Sequence, residues 1–196
     1  MWPQEGIFMR NLSNQSSIVE VKFTAEMLAR AKVKAKSLGS INNSIRRGGG
    51  NIVGYLGEEI VAHYMKADII SNDEGADKYN YDLVKDGKKI EVKSKERSVP
   101  PKDFYDASVA ETSRHQKTDI YVFTSIKCEG GKPVSAWICG QKDAKEYFEQ
   151  ARFYAKDDID PSNGWKVSTD CHNMPYKDLD SVELEGHKEE KEFPQF

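Results

Sequence analysis

The sequence has few cysteines and no long apolar run. Its three cysteines, Cys128, Cys139 and Cys171, are odd in number and widely spaced, with no Cys-x-x-Cys pair. This pattern argues against a disulfide framework and against a structural zinc site. No apolar stretch approaches the roughly 20 residues of a membrane-spanning helix, and the start lacks a basic segment followed by an apolar one. We therefore expect reduced thiols in a cytoplasmic protein without a membrane partner.

The chain also lacks the excess of positive charge that is common in nucleic-acid-binding proteins. It has 29 Lys and Arg against 32 Asp and Glu, so its net charge is −3. The charge is unevenly spread, because residues 1–66 carry a balance of +4, residues 67–127 one of −1 and residues 128–196 one of −6. A basic N-terminal third can still present a positive face to phosphate. The net charge therefore does not exclude a nucleic-acid partner.

With 196 residues, the chain has the length of a single domain with small appendages. We predict a basic extension over residues 1–50 with a helix and a Gly-rich loop, a core over residues 51–156, and an acidic, partly flexible extension over residues 157–196. Hydrophobic periodicity predicts helices near 24–38, 52–66, 106–117 and 142–155, and strands near 81–84, 90–94, 119–126 and 134–139. The last forty residues are predicted to be mostly loop.

The most informative segment runs from residue 79 to residue 95. Two stretches of alternating polarity flank Asp86-Gly87, which is a strong signal for a two-residue hairpin turn. Counting outward from this turn places Asp82 directly opposite Glu91, with Lys93 on the same face. The segment therefore predicts two adjacent carboxylates and an ammonium group on one side of a β-hairpin.

Two carboxylates in this position repel each other, so they need a compensating charge. A divalent metal between Asp82 and Glu91 would supply it, and hard oxygen ligands favour Mg²⁺, with Mn²⁺ as a substitute. Lys93 would reach the same site, where an ammonium can orient or deprotonate a water or hold a phosphate. The ordinary alternative is a solvated hairpin face on which acids and lysines alternate for solubility.

The motif resembles the signature of the PD-(D/E)XK nuclease superfamily: Asp82, eight intervening residues, then Glu91-Val92-Lys93. The resemblance covers about residues 52–127, and this segment is similar to small phage-encoded or restriction-type nucleases. It implies an α/β fold with a restriction-endonuclease-like core, in which a central mixed β-sheet is flanked by helices. It also implies that Asp82, Glu91 and the Val92 carbonyl bind metal, and that Lys93 completes the catalytic site.

Two further features of that superfamily have counterparts here. A preceding helix often adds an acidic residue after a glycine, and the segment 54–59 resembles this helix, with Glu58 as the first choice of catalytic and metal-binding acid and Glu59 as the second. Some members place a glutamine on a helix before the next core strand, and Gln116 resembles it. The position before the aspartate, proline in the family, is Tyr81 here.

Together these features predict a Mg²⁺-dependent DNA endonuclease in the cytoplasm, or in the cytoplasm of the host cell if the chain is phage-encoded. The candidate substrate-binding residues are Gln116, Arg46, Arg47, Arg114 and Lys95, with ordinary surface charge as the alternative for the basic ones. A homodimer is left open. The alternative functions are a nuclease-fold DNA-binding or interaction module without hydrolysis, and an exonuclease or RNA nuclease of the same fold.

Overall fold

A mixed six-stranded β-sheet forms the centre of the protein. The structure, a computed structural model, describes residues 17–37, 50–70, 80–161 and 164–185. In chain order the elements are β1 Val19–Val21, α1 Ala25–Ser37, α2 Gly50–Met65, β2 Asp68–Ile69, β3 Leu83–Lys85, β4 Lys88–Arg97, β5 Asp106–Ala110, β6 Ile120–Glu129, β7 Lys132–Asp143, α3 Ala144–Gln150, β8 Arg152–Tyr154 and β9 Cys171–Pro175. Short 3-10 helices lie at Glu111–Ser113 and Tyr176–Asp178.

The strand order of the central sheet is β1-β7-β6-β4-β3-β2. The neighbours β4 and β6 are parallel, whereas the other neighbouring pairs are antiparallel. The prediction of an α/β fold with a central mixed sheet is therefore confirmed. The predicted strands near 119–126 and 134–139 correspond to β6 and β7, which form a long hairpin closed by Gly130-Gly131.

Helices α1 and α2 cover one face of this sheet. Thr24 accepts the backbone N–H of Met27 through its Oγ1 atom at 3.2 Å, which begins α1 as a capped helix. Leu56 and Ile60 of α2 are fully buried in the same apolar cluster as Val122 of β6. Among the described residues, none of the helices is long and apolar enough to cross a bilayer.

A second, three-stranded sheet with the order β5-β9-β8 packs with α3 against the other face. The predicted helix over 106–117 is wrong, because this segment contains strand β5. Its burial alternates, with Ala107 and Val109 facing the core, and it pairs with β9. The prediction that the last forty residues are mostly loop missed β9 for the same reason: one of its two partner strands, β5, lies more than sixty residues earlier in the chain.

Helix α3 is also shorter than the predicted 142–155. It begins after Asp143, whose Oδ1 accepts the N–H groups of Lys145 and Glu146 at 2.9 and 3.1 Å. It ends at Gln150, and the chain then turns into β8, which pairs with β9. Pairing with a distant strand therefore overrides the local preference for helix over residues 152–154.

The predicted hairpin between β3 and β4 is confirmed. The turn residues Asp86 and Gly87 have φ angles of 50° and 75°, as a type I′ turn requires. The register pairs Lys85 with Lys88 and Leu83 with Ile90, as counted from the sequence. The regular ladder ends there, because the Asp82 N–H also donates to the Ile90 carbonyl, at 2.9 Å. Two residues then face one, as in a β-bulge, so the predicted direct pairing of Asp82 with Glu91 is wrong.

Helix α2 comes very close to the sheet at Gly57. A Cβ atom at this position would lie 2.0 Å from Ser94 Oγ and 2.8 Å from Thr124 Oγ1. These two hydroxyl groups are hydrogen-bonded to each other at 2.8 Å, so neither is free to move without cost. The absence of a side chain at Gly57 therefore permits this approach of helix to sheet.

Replacing Gly57 by alanine should destabilise the protein by about 1–3 kcal/mol, because the added methyl group forces α2 away from β4 and β6. The matched control is Gly54→Ala in the same helix, where nothing lies within 4 Å of an added Cβ. The control should stabilise by about 0.5–1 kcal/mol through helix propensity. Urea unfolding of both variants measures the difference, and equal stability of the two would contradict the close packing.

Candidate functional site

Three acidic side chains from separate parts of the chain come together beside the sheet. Glu58 lies on α2, Asp82 precedes β3, and Glu91 lies on β4. Glu58 and Glu91 are each only 8% exposed. Burial raises the pKa of Asp82 well above its usual range, and the charges of Glu91 and Glu58 raise it further. Since the charges of Glu91 and Glu58 act on Asp82, and that of Glu91 also acts on Glu58, the three carboxylates form one electrostatic cluster, here called the acidic triad.

The Asp82 carboxylate is held by the backbone of β4. Its Oδ2 atom accepts the N–H of Val92 at 2.8 Å. This bond favours the ionised form of Asp82, but it opposes burial and two neighbouring charges. Asp82 lies just beyond the regular ladder, where its N–H donates to the Ile90 carbonyl and its side chain accepts the Val92 N–H. The role of the Val92 carbonyl as a metal ligand stays a prediction.

Two lysines partly compensate the triad. The Lys34 Nζ atom of α1 lies 2.6 Å from Glu58 Oε2, and the Lys93 Nζ atom lies 2.7 Å from Glu91 Oε1. Burial raises the pKa of Glu58, Lys34 lowers it, and the charges of Glu91 and Glu59 raise it further. Lys93 was predicted from the motif, whereas the role of Lys34 was missed. The periodicity of the amphipathic helix α1 predicts only that Lys34 lies on its polar side, not which acid it contacts.

Glu58 lies near Asp82 and Glu91, whereas the neighbouring Glu59 contacts helix α1 instead. Arg30 Nη2 of α1 lies 2.6 Å from Glu59 Oε2, so Glu59 forms an ion pair between the two helices. Glu58, one residue earlier, points toward the sheet because Gly57 lets this turn of α2 lie against β4. The first choice of helix acid thus lies at the triad.

Gln116 also reaches the triad. Its Nε2 atom donates to Glu91 Oε1 at 3.1 Å, and its Oε1 atom accepts from Lys93 Nζ at 3.3 Å. It lies on the loop before β6, not on the predicted helix. Backbone and side-chain bonds to Lys89 hold this loop, since Asp119 Oδ2 accepts the Lys89 N–H at 2.8 Å and Thr118 Oγ1 donates to the Lys89 carbonyl at 3.0 Å.

The other predicted substrate-binding residues make different contacts. Arg114 pairs with Glu111 at 2.9 Å and stacks on the ring of Phe148. Lys95 donates to atoms of β5 and does not contact the triad in the structure. Arg46 and Arg47 lie outside the described residues.

The donor chemistry of the acidic triad fits a hard divalent cation, although the side chains are not arranged as a ready-made site. Within residues 17–37, 50–70, 80–161 and 164–185, no three His, Cys, Asp or Glu side chains are placed to hold a metal ion. Glu58 and Glu91 instead direct an oxygen to a lysine. The charge of Glu91 raises the pKa of both Asp82 and Glu58, so a divalent cation between the three carboxylates would relieve this repulsion, and oxygen donors suit Mg²⁺.

No protein-family model and no curated protein matches this chain. The resemblance to the PD-(D/E)XK superfamily therefore depends on the motif residues alone. A functional assignment must then come from the geometry and chemistry of the triad, Lys93 and Gln116.

Asp82→Asn should make the metal-free protein more stable at neutral pH. A carboxyl group whose pKa is raised by folding destabilises the folded state once the pH exceeds its ordinary pKa, about 3.9. Wild-type stability should therefore fall as the pH rises from about 4 through the raised pKa of Asp82, at up to about 1.4 kcal/mol per pH unit. The variant lacks this titration, and its Oδ1 atom can still accept the Val92 N–H.

Urea unfolding in EDTA across this pH range measures the effect. The control is Asp68→Asn, since Asp68 is exposed on β2 and its removal should leave the pH dependence unchanged. If Asp82→Asn is less stable than wild type at pH 7 and keeps the same pH slope, Asp82 is not the strained carboxylate described here.

Proposed function

We propose that the protein is a Mg²⁺-dependent DNA phosphodiesterase with a restriction-endonuclease-like core that cuts within DNA strands. The observation that carries this proposal is the convergence of three carboxylates from separate parts of the chain next to Lys93, with Glu58 and Glu91 buried. A solvated hairpin face is disfavoured because Glu91 is only 8% exposed and contacts both Lys93 and Gln116. Carboxyl groups whose pKa is raised by burial and by neighbouring charges, as in Asp82 and Glu58, cluster at functional sites.

The triad would hold the metal through Asp82, Glu91 and Glu58, together with the carbonyl of Val92. Carboxylate and carbonyl oxygens favour Mg²⁺ or Mn²⁺ over softer metals. When bound, such a metal stabilises the negative charge that develops on a phosphate during hydrolysis. The Val92 N–H keeps Asp82 oriented toward the site, and Gly57 keeps Glu58 there.

Lys93 is the residue of this chain best placed to act on the phosphate. Its Nζ atom donates to Glu91 and Gln116, and over the described residues this leaves one of its three N–H groups for a phosphate oxygen or for the attacking water. Its positive charge would stabilise the anionic transition state. Gln116 is a positioning residue, because it bonds to both Glu91 and Lys93 and so fixes their relative orientation.

The preference for DNA and for internal cleavage comes from the distribution of charge. The N-terminal third is basic, and Lys32 and Lys36 of α1 are exposed, so this helix can contact a phosphate backbone. Arg30 and Lys34 of the same helix are engaged with α2 acids and contribute less to that surface. A basic extension that can clasp a duplex favours an endonuclease.

Glu91→Ala and Lys93→Ala should each lower the rate of DNA cleavage by about 100-fold or more, because each removes a group that acts in the transition state. The assay uses supercoiled, linear, branched and single-stranded DNA, and RNA, each with Mg²⁺ or with EDTA. Glu149→Ala and Lys88→Ala are the matched controls, since both residues are exposed and lie outside the site. Both controls should cut at the wild-type rate.

Cleavage should require the metal and occur within closed circular DNA. If wild type with Mg²⁺ leaves every substrate intact but binds DNA, the protein is a non-hydrolytic DNA-binding module. If Glu91→Ala and Lys93→Ala cut as fast as wild type, the acidic triad is not the catalytic site. Preferential cleavage of RNA would indicate an RNA nuclease of the same fold, and preferential cleavage at chain ends would indicate an exonuclease. Either result would overturn the proposal of a DNA endonuclease.

A further inference from the structure

A second concave site lies on the outer side of the β5-β9-β8 sheet. Its pocket has a volume of about 410 Å³. The residues of this face alternate with core residues, because Ala107, Val109 and Met174 face the interior. We call it the β5–β9 pocket and define it by six of its lining residues: Lys95, Asp106, Ser108, Asp160, Trp165 and Asn173.

A buried ammonium group provides one wall of the β5–β9 pocket. Lys95 Nζ donates to the Asp106 carbonyl and to Ser108 Oγ, both at 2.8 Å. Burial lowers the pKa of Lys95 to about 8, so the group is still mostly charged at pH 7. Counting only acceptors among the described residues, one N–H of Lys95 is left to donate to a ligand.

Two carboxyl groups provide hydrogen-bond acceptors in the same pocket. Asp160 is only 3% exposed, and the Tyr154 hydroxyl donates to its Oδ1 at 3.5 Å. Burial raises the pKa of Asp106, and the nearby charge of Asp160 raises it as well, whereas Lys95 lowers it. The pocket therefore combines one cationic donor with two acidic acceptors and suits a ligand whose edge carries both donors and acceptors.

An exposed aromatic side chain completes the β5–β9 pocket. Trp165 is 68% exposed, although large aromatic side chains are usually buried. Two backbone hydrogen bonds hold the backbone next to this side chain. The Asp160 N–H donates to the Trp165 carbonyl, and the Gly164 N–H donates to the Asp160 carbonyl, both at 2.8 Å. A flat aromatic ring at the wall of a pocket is a stacking platform for a planar ligand.

We propose that the β5–β9 pocket binds a nucleobase of the DNA substrate, stacked on Trp165 and recognised along its edge by Lys95, Asp106 and Asp160. This inference rests on the proposed function, since it takes DNA as the substrate. Adenine, cytosine and guanine carry an exocyclic amino group next to an acceptor, whereas thymine carries none. The acidic acceptors therefore favour these three bases over thymine.

The position of the pocket relative to the acidic triad fits a base near the cleaved bond. Lys93 and Lys95 lie on the same face of β4, two residues apart, which is about 6.6 Å along a strand. A base next to a phosphate held at Lys93 could therefore reach Lys95, provided that this base is unpaired or has left the stack.

Calorimetric titration of the full chain in EDTA with dAMP, dCMP, dGMP, dTMP and 2-deoxyribose 5-phosphate tests this proposal. The three nucleotides with an amino group should bind more tightly than dTMP, and all four more tightly than the sugar phosphate. Trp165→Ala should weaken nucleotide binding about fivefold or more through loss of stacking. Asp160→Asn should reduce the preference over dTMP.

Val33→Ala, at a similarly exposed apolar residue of α1, should leave nucleotide binding unchanged. If the sugar phosphate binds as well as the nucleotides, or if Trp165→Ala binds them like wild type, the pocket is not a base site. No cleavage is needed for this test. If the protein cleaves DNA in a Glu91-dependent way but does not bind the nucleotides at the pocket, the base-site proposal alone is overturned. If the nucleotides bind in a Trp165-dependent way but no nucleic acid is cleaved, the proposed nuclease function alone is overturned.

Discussion

The close approach of α2 to the sheet at Gly57 is the contact on which the candidate site depends. Because Gly57 has no side chain, α2 can lie directly against β4 and β6, where a Cβ atom would clash with Ser94 and Thr124. The next residue, Glu58, is thereby buried within range of two other carboxylates. Bringing three like charges together in a poorly solvated place costs free energy, so the fold must supply compensating positive charge.

The described chain supplies that charge through lysines from two directions. Lys34 reaches Glu58 from α1, and Lys93 reaches Glu91 from the same strand. Asp82 accepts the Val92 N–H, and the charge of Lys93 lowers its pKa only partly against burial and the charges of Glu91 and Glu58. A divalent cation would satisfy all three acids at once and would release Lys93 toward a phosphate. Under the proposed function, the same burial that destabilises the metal-free protein would favour binding of the metal.

Local signals in the sequence were sufficient for part of this structure. The Asp86-Gly87 turn fixed the hairpin register, and the alternation along β4 placed Glu91 and Lys93 on one face. Features that depend on distant segments were not predictable in this way. The pairing of β5 with β9 converted an expected helix into a strand, and packing of α1 on α2 brought Lys34 to Glu58. The bulge at Asp82 depends on one backbone bond that no residue pattern reveals.

Anomalous X-ray scattering from crystals soaked in millimolar Mn²⁺ tests the central claim most directly, namely that Glu58, Asp82 and Glu91 form a divalent metal site. We predict an anomalous peak bonded to carboxylate oxygens of these three residues, with Lys34 displaced from Glu58. The peak should be absent in crystals of Asp82→Asn. A well-ordered triad without a Mn²⁺ peak, or Mn²⁺ bound only at other carboxylates, would contradict the claim.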